Sequence, residues 1–195
     1  MFHQDFHIGN ILVNNNEDFV GIPLGIHISD MGLCGEVGDK DKAKIYGVMP
    51  YVAPEVLRGK PYTQAADIYS FGMVMYYIIT GRQPFENCAH DGLLALDICR
   101  GIRPEIPEIP EFKSNQYIDL MKKCWDSDPD NRPNVKSISI NLNVSEFRDD
   151  IKKAEKYFFK EYEENKQLTT THPQAIYTSR LLNPYTEGLA TYFTE

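Results

Sequence analysis

Two aspartates and one asparagine set the chemistry this chain could perform. Asp5 follows His3 by two positions and precedes Asn10 by five, and Asp30 opens the short run Asp30-Met31-Gly32. A positioned carboxylate can take the proton of an attacking hydroxyl. Amide and carboxylate oxygens suit a hard cation such as magnesium. Phosphoryl transfer needs that combination, because it rests on positioning and charge stabilisation more than on covalent chemistry. Taken alone, His-x-Asp with an asparagine five positions after the aspartate also reads as a capped turn before a strand, since short motifs recur by chance.

The surrounding elements decide whether these groups can meet. Residues 11–13 and 26–29 are short β-type segments, and the polar stretch at 14–18 between them has the composition of a turn. They predict a small hairpin that brings Asn10 near Asp30. Residues 32–52 show neither helical nor strand period and read as a long loop. Helical patterns follow at 63–80, 91–100, 115–126 and 133–142; in the last, Ile138, Ile140, Leu142 and Val144 alternate as a strand would. A further helix is expected over 143–168, with Asn143 and Glu146 spaced as a capping box and Phe147, Ile151, Ala154 and Phe158 on one face. That face either packs back on the domain or meets a partner. Residues 169–195 read as a flexible polar tail.

The 195 residues suit one domain with an appendage, and 42% hydrophobic content supplies a core. A net charge of −8 argues against nucleic-acid binding, which needs clustered lysine and arginine. The longest apolar run, 68–79, is too short for a bilayer core of about 30 Å and reads as a buried helix. Four cysteines without a Cys-x-x-Cys pair, and no charged-then-apolar leader, fit a reducing compartment, cytoplasm or nucleus.

Taken in order, His3-Gln4-Asp5-Phe6-His7-Ile8-Gly9-Asn10, Asp30-Met31-Gly32, Ala53-Pro54-Glu55, Asp67-Ile68-Tyr69-Ser70-Phe71-Gly72 and Arg132 within 124–133 resemble the landmarks of the protein kinase family. Cys124-Trp125 and Gly101-Ile102-Arg103-Pro104 lean toward its tyrosine-kinase-like serine/threonine branch. The resemblance implies the large C-terminal lobe over residues 1–142, mainly α with a small β-hairpin, and ATP, magnesium and a protein substrate as its partners. By it, Asp5 orients the substrate hydroxyl and accepts its proton, and Asn10 and Asp30 bind magnesium. Leu12 would lie beneath the adenine, supported by Val74 and Ile78; on periodicity alone those three are core residues. His3, Glu55, Asp67 and Arg132 would be structural: Asp67 would hydrogen-bond the catalytic-loop backbone, and Arg132 would pair with Glu55. Small-molecule phosphotransferases share the His-x-Asp-x-x-x-x-Asn loop but lack the Ala-Pro-Glu segment and its arginine.

The chain also departs from the family pattern. Gln4 replaces the arginine of His-Arg-Asp, His7 stands where serine/threonine kinases place a lysine, Val48 replaces a threonine, and Met31 replaces a phenylalanine. The acceptor, serine, threonine or tyrosine, is therefore open. No Gly-x-Gly-x-x-Gly occurs within the 195 residues, so the small N-terminal lobe is expected to be missing, through an incomplete gene model or a truncated copy. The expectation is an ATP-dependent protein kinase lobe that is inactive by itself; the rival reading is a non-catalytic, pseudokinase-like binding module. Between Gly32 and Ala53 only Tyr46 and Tyr51 could carry phosphate, and Gln4 offers no charge to receive it. Control by partner binding or tail docking is expected in its place.

Overall fold

The computed structural model describes residues 2–14, 25–31, 44–106, 116–142, 152–153, 156–157 and 171–193. A 3-10 turn at Ile8–Asn10 leads into β1 (Ile11–Asn14), which pairs antiparallel with β2 (Gly25–Ile28) in the register Ile11 to Ile28 and Leu12 to His27. This is the expected hairpin. Next come β3 (Tyr46–Gly47), a 3-10 turn at Met49–Tyr51 and the short helix α1 (Pro54–Leu57). The helices α2 (Gln64–Thr80), α3 (Gly92–Cys99), α4 (Gln116–Cys124) and α5 (Val135–Leu142) complete the core. Among the described residues the fold is mainly α with two two-stranded sheets, and no helix is long and apolar enough to cross a membrane.

The long apolar run becomes α2 because it is buried on most of its faces, from Ala66 and Ile68 through Tyr69, Met73, Val74 and Met75 to Ile79. It stops at Gly81, whose φ of 64° few other residues adopt at low cost, and whose N–H donates to the Tyr77 carbonyl. α4 packs across it, and the Tyr117 hydroxyl donates to the Met75 carbonyl at 2.9 Å. The crossing is close because residue 72 is glycine: a Cβ there would lie 3.0 Å from Cys124 Cβ and 3.1 Å from the Trp125 nitrogen. Gly72→Val is expected to lower stability by about 1–3 kcal/mol through overpacking, and an unchanged denaturant midpoint would contradict this contact.

α5 is helical although its isoleucines alternate. Asn134 decides the local contest, since its Oδ1 accepts from the Ser137 N–H at 2.9 Å and caps the first turn. Ile138 is buried while Ile140 faces solvent. The helix expected over 143–168, with its face at Phe147, Ile151, Ala154 and Phe158, lies outside the described residues apart from two helical pairs at 152–153 and 156–157.

The reading of 169–195 as a flexible polar tail needs correction for residues 171–193, which are built onto the lobe. The His172 N–H donates to Glu86 O at 2.8 Å, and the His90 N–H to Gln174 O at 3.0 Å. β4 (Arg180–Leu181) then pairs antiparallel with β3, and two short helices follow, α6 (Asn183–Thr186) and α7 (Leu189–Tyr192). Leu182 is completely buried. The physical reason is apolar content that the polar composition of the segment obscures: Leu182 and Leu189 join the same core as α2 and α3.

His90 clasps this segment. Its ring nitrogens lie 3.0 Å from Ile176 O and 3.2 Å from Phe85 O, and the ring meets Tyr177 edge-on. Burial lowers its pKa below the ordinary 6.5 against the pull of the two carbonyls, with Arg180 and His172 acting in the same direction as burial. The native fold thus takes up the proton less readily than the unfolded chain. This contribution to stability is complete above about pH 6.5 and is lost as pH falls below it. His90→Gln is expected to show a smaller fall in melting temperature on acidification below that pH than the parent; parallel falls would show that His90 does not contribute.

Candidate active site

The site is assembled from the loop at its base upward. Asp67, in the first turn of α2, accepts from the His3 N–H at 2.7 Å and from the Gln4 N–H at 3.1 Å. Those two bonds hold Gln4 at φ 69°, a conformation uncommon outside glycine. Burial pushes the Asp67 carboxyl above its ordinary value, and the two donated N–H bonds act against that shift. His3 closes the loop on its other side. Its Nδ1 accepts from the Asp5 N–H at 3.4 Å, which leaves Nε2–H to donate to Ser29 O at 3.1 Å.

Asp5 is buried at the centre of this loop. Asn10 Nδ2 donates to the Asp5 carbonyl at 2.9 Å. The Asn10 carbonyl in turn accepts from the Ser29 N–H at 2.8 Å, with the Ser29 hydroxyl 3.1 Å away. The end of β2 is therefore bound to the loop, and Asp30 follows at once with φ 57° and an exposed side chain. The structure brings Asp5, Asn10 and Asp30 into one cluster through His3 and Ser29. Sequence reasoning missed Ser29, although a hydroxyl at the strand end just before Asp30 was a signal for it.

His7 stands beside Asp5, with Nε2 3.7 Å from Asp5 Oδ1. Its Nδ1 accepts from the Gly9 N–H at 3.1 Å and caps the 3-10 turn. Burial lowers its pKa below 6.5; the carboxylates of Asp5 and Asp30 pull the other way, and His3 adds to the lowering. A neutral imidazole with a proton on Nε2 therefore faces the carboxylate at neutral pH. Gly47 closes the site from the side of β3, since a Cβ there would stand 2.9 Å from Val52 Cγ2 and 3.5 Å from Asp5 Oδ1. That approach between β3 and the loop was not legible in the sequence.

Glu55 and Arg132 meet as a buried fork. Arg132 donates to Glu55 Oε1 at 2.7 Å and Oε2 at 2.8 Å, to Ala65 O at 2.8 Å and, through Nε, to Asp126 O at 2.9 Å. Its guanidinium also lies 5.3 Å from the Tyr69 ring centre. Of the three residues expected around the adenine, Val74 is core, whereas Leu12 is 53% and Ile78 46% exposed. The core reading from periodicity is corrected for Leu12 and Ile78. Both sit where a short hairpin and a helix turn leave one face uncovered. Of the two tyrosines between Gly32 and Ala53, Tyr46 is exposed; Tyr51 is buried, donates to Gln83 Oε1 at 2.9 Å, and burial pushes its hydroxyl pKa far up.

A family model described as the protein kinase domain matches residues 1–141. Among similar proteins, a putative serine/threonine-protein kinase/receptor of Acanthamoeba polyphaga mimivirus is 32% identical over 143 residues, covering 73% of this chain and 8% of its own length. A probable serine/threonine-protein kinase of Dictyostelium discoideum is 35% identical over 145 residues, covering 73% of this chain and 10% of its own. Human receptor-interacting serine/threonine-protein kinase 1 is 31% identical over 183 residues, covering 83% of this chain and 26% of its own. The chain thus spans about a quarter or less of the length of these relatives. A match running from the loop of Asp5 past Arg132, over well more than half of the sequence, places this chain in the protein kinase family.

Proposed function

We propose that this lobe takes part in moving the γ-phosphoryl group of ATP to a serine or threonine hydroxyl of a protein. The observation that supports it most is the single hydrogen-bonded loop that sets the buried Asp5 beside Asn10 and Asp30. Asp5 would orient the acceptor hydroxyl and take its proton, and the bonds to Asp67 and His3 keep the loop from relaxing around it. Neutral His7 would donate through Nε2 without adding the positive charge a lysine would supply.

The donor set fits magnesium. Asn10 commits Nδ2 to the Asp5 carbonyl, so Oδ1 is the atom left for a cation, and Asp30 offers an exposed carboxylate. Two hard oxygen donors suit an ion that keeps waters and phosphate oxygens as its other ligands. When bound, the ion would neutralise charge on the phosphates of ATP. The serine/threonine assignment rests on the names of the relatives. The test is phosphoamino-acid analysis of a mixed protein substrate treated with magnesium-ATP and this chain joined to the small lobe of one of those relatives. Phosphoserine and phosphothreonine are expected; phosphotyrosine alone would overturn the acceptor class.

A further inference from the structure

The edge of β3 is filled by the chain's own C-terminal segment, and that edge runs beside Asp5. Tyr46 pairs with Leu181 and Gly47 with Arg180. The pairing continues past the strand, with the Leu182 N–H donating to Ile45 O at 2.7 Å and the Ile45 N–H to Asn183 Oδ1 at 2.8 Å. Gly47 is also the residue whose Cβ would stand 3.5 Å from Asp5 Oδ1. A strand opposite Gly47 therefore lies one strand spacing, ~4.8 Å, from a backbone position where an added Cβ would stand in van der Waals range of the carboxylate. An extended protein segment approaching Asp5 along this side would need the same N–H and C=O groups that residues 180–183 now occupy. Main-chain pairing of this kind accepts many sequences, with pockets for alternate side chains adding selectivity.

We propose that residues 180–183 occupy the strand-addition site used by a protein substrate beside Asp5, so that the C-terminal segment and an extended substrate exclude one another. This rests on the reading of Asp5 as the acceptor-orienting base. Several features fit a removable occupant. The segment is anchored at points: Leu182 is buried, Asn183 caps Ile45, and Arg180 reaches His90 O at 2.6 Å. Between α1 and α6–α7 an open groove of about 710 Å³ remains, lined by Ile45, Leu57, Arg58, Leu181 and Glu187. Apart from Leu182 and Leu189, which are buried, the segment borders this groove with Leu181, Asn183 and Glu187. The residue opposite Gly47 is Arg180, a side chain without a hydroxyl to accept phosphate, and its guanidinium donates to His90 O and the Tyr185 hydroxyl.

The test uses the full chain and a fluorescent peptide of residues 177–186. The tethered segment has an effective concentration near millimolar, so the parent is expected to leave the free peptide unbound at micromolar concentration. Leu182→Asp in the chain should release the edge: the labelled peptide then binds, and the amides of 45–47 exchange at least about tenfold faster while those of α2 and α4 stay protected. Should Leu182→Asp unfold the lobe, seen as lost α2 protection, Asn183→Ala should give the same changes at smaller amplitude. Unchanged exchange at 45–47 in a folded variant, or peptide binding to parent and variant alike, would overturn the proposal. In the chain joined to a small lobe, Leu182→Asp should raise kcat/KM for a protein substrate several-fold and leave ATP hydrolysis by water unchanged. An equal effect on both rates would overturn the substrate overlap. Absence of turnover in both forms would instead remove the phosphoryl-transfer reading on which the overlap rests, with the binding result standing apart.

Discussion

Replacing Arg132 with alanine is expected to cost the fold about 3–5 kcal/mol, a large share of the stability of an ordinary domain. The loss does not measure an attraction alone. Removing the guanidinium leaves the Glu55 carboxylate buried without its two charge-assisted bonds, and it strips the Ala65 and Asp126 carbonyls of a donor. It also removes one of the two cations resting near the Tyr69 ring, leaving Arg103. Arg132→Lys should recover only part of this, because a lysine cannot form the two-pronged contact. Equilibrium urea unfolding measures the change. A curve for Arg132→Ala that overlays the parent would show that the pair is exposed or absent.

The fold was legible where a single strong rule governed. The apolar run at 68–79 had to be a buried helix, and the alternating segments around Asn10 and Asp30 had to pair. The position of Asp67 could be anticipated from a resemblance, but its two bonds to the loop come from tertiary packing that no local pattern encodes. Periodicity failed at Leu12 and Ile78, because an apolar residue on a short hairpin or helix face need not find cover. It failed more seriously over 171–193. There threonines, proline and charges gave a polar average, while the segment is held by Leu182, by backbone pairing with β3 and by the ring of His90, all long-range contacts. The cluster of Asp5, Asn10 and Asp30 was named from its motif, yet the group that ties it together is the Ser29 backbone and hydroxyl.

The second large effect concerns chemistry. Asp5→Asn keeps the size of the side chain and removes its capacity to take a proton, and the bonds that shape the loop use Asp5 backbone atoms, so the loop should keep its form. Loss of a positioned base costs about 10²–10⁴-fold in rate. The variant should melt close to the parent, because the Asp67 bonds and the Glu55–Arg132 fork are untouched. An unchanged fold with a collapsed rate would place the effect on the transfer step. A fall in melting temperature comparable to that of Arg132→Ala would instead make Asp5 a structural residue.

The most direct measurement is single-turnover transfer from γ-labelled ATP, with magnesium, to a protein substrate by this chain joined to a small lobe, for the parent and for Asp5→Asn. The account predicts labelled product from the parent and a rate at least about a hundredfold lower from the variant. Equal rates, or no labelled product from the folded parent, would contradict it.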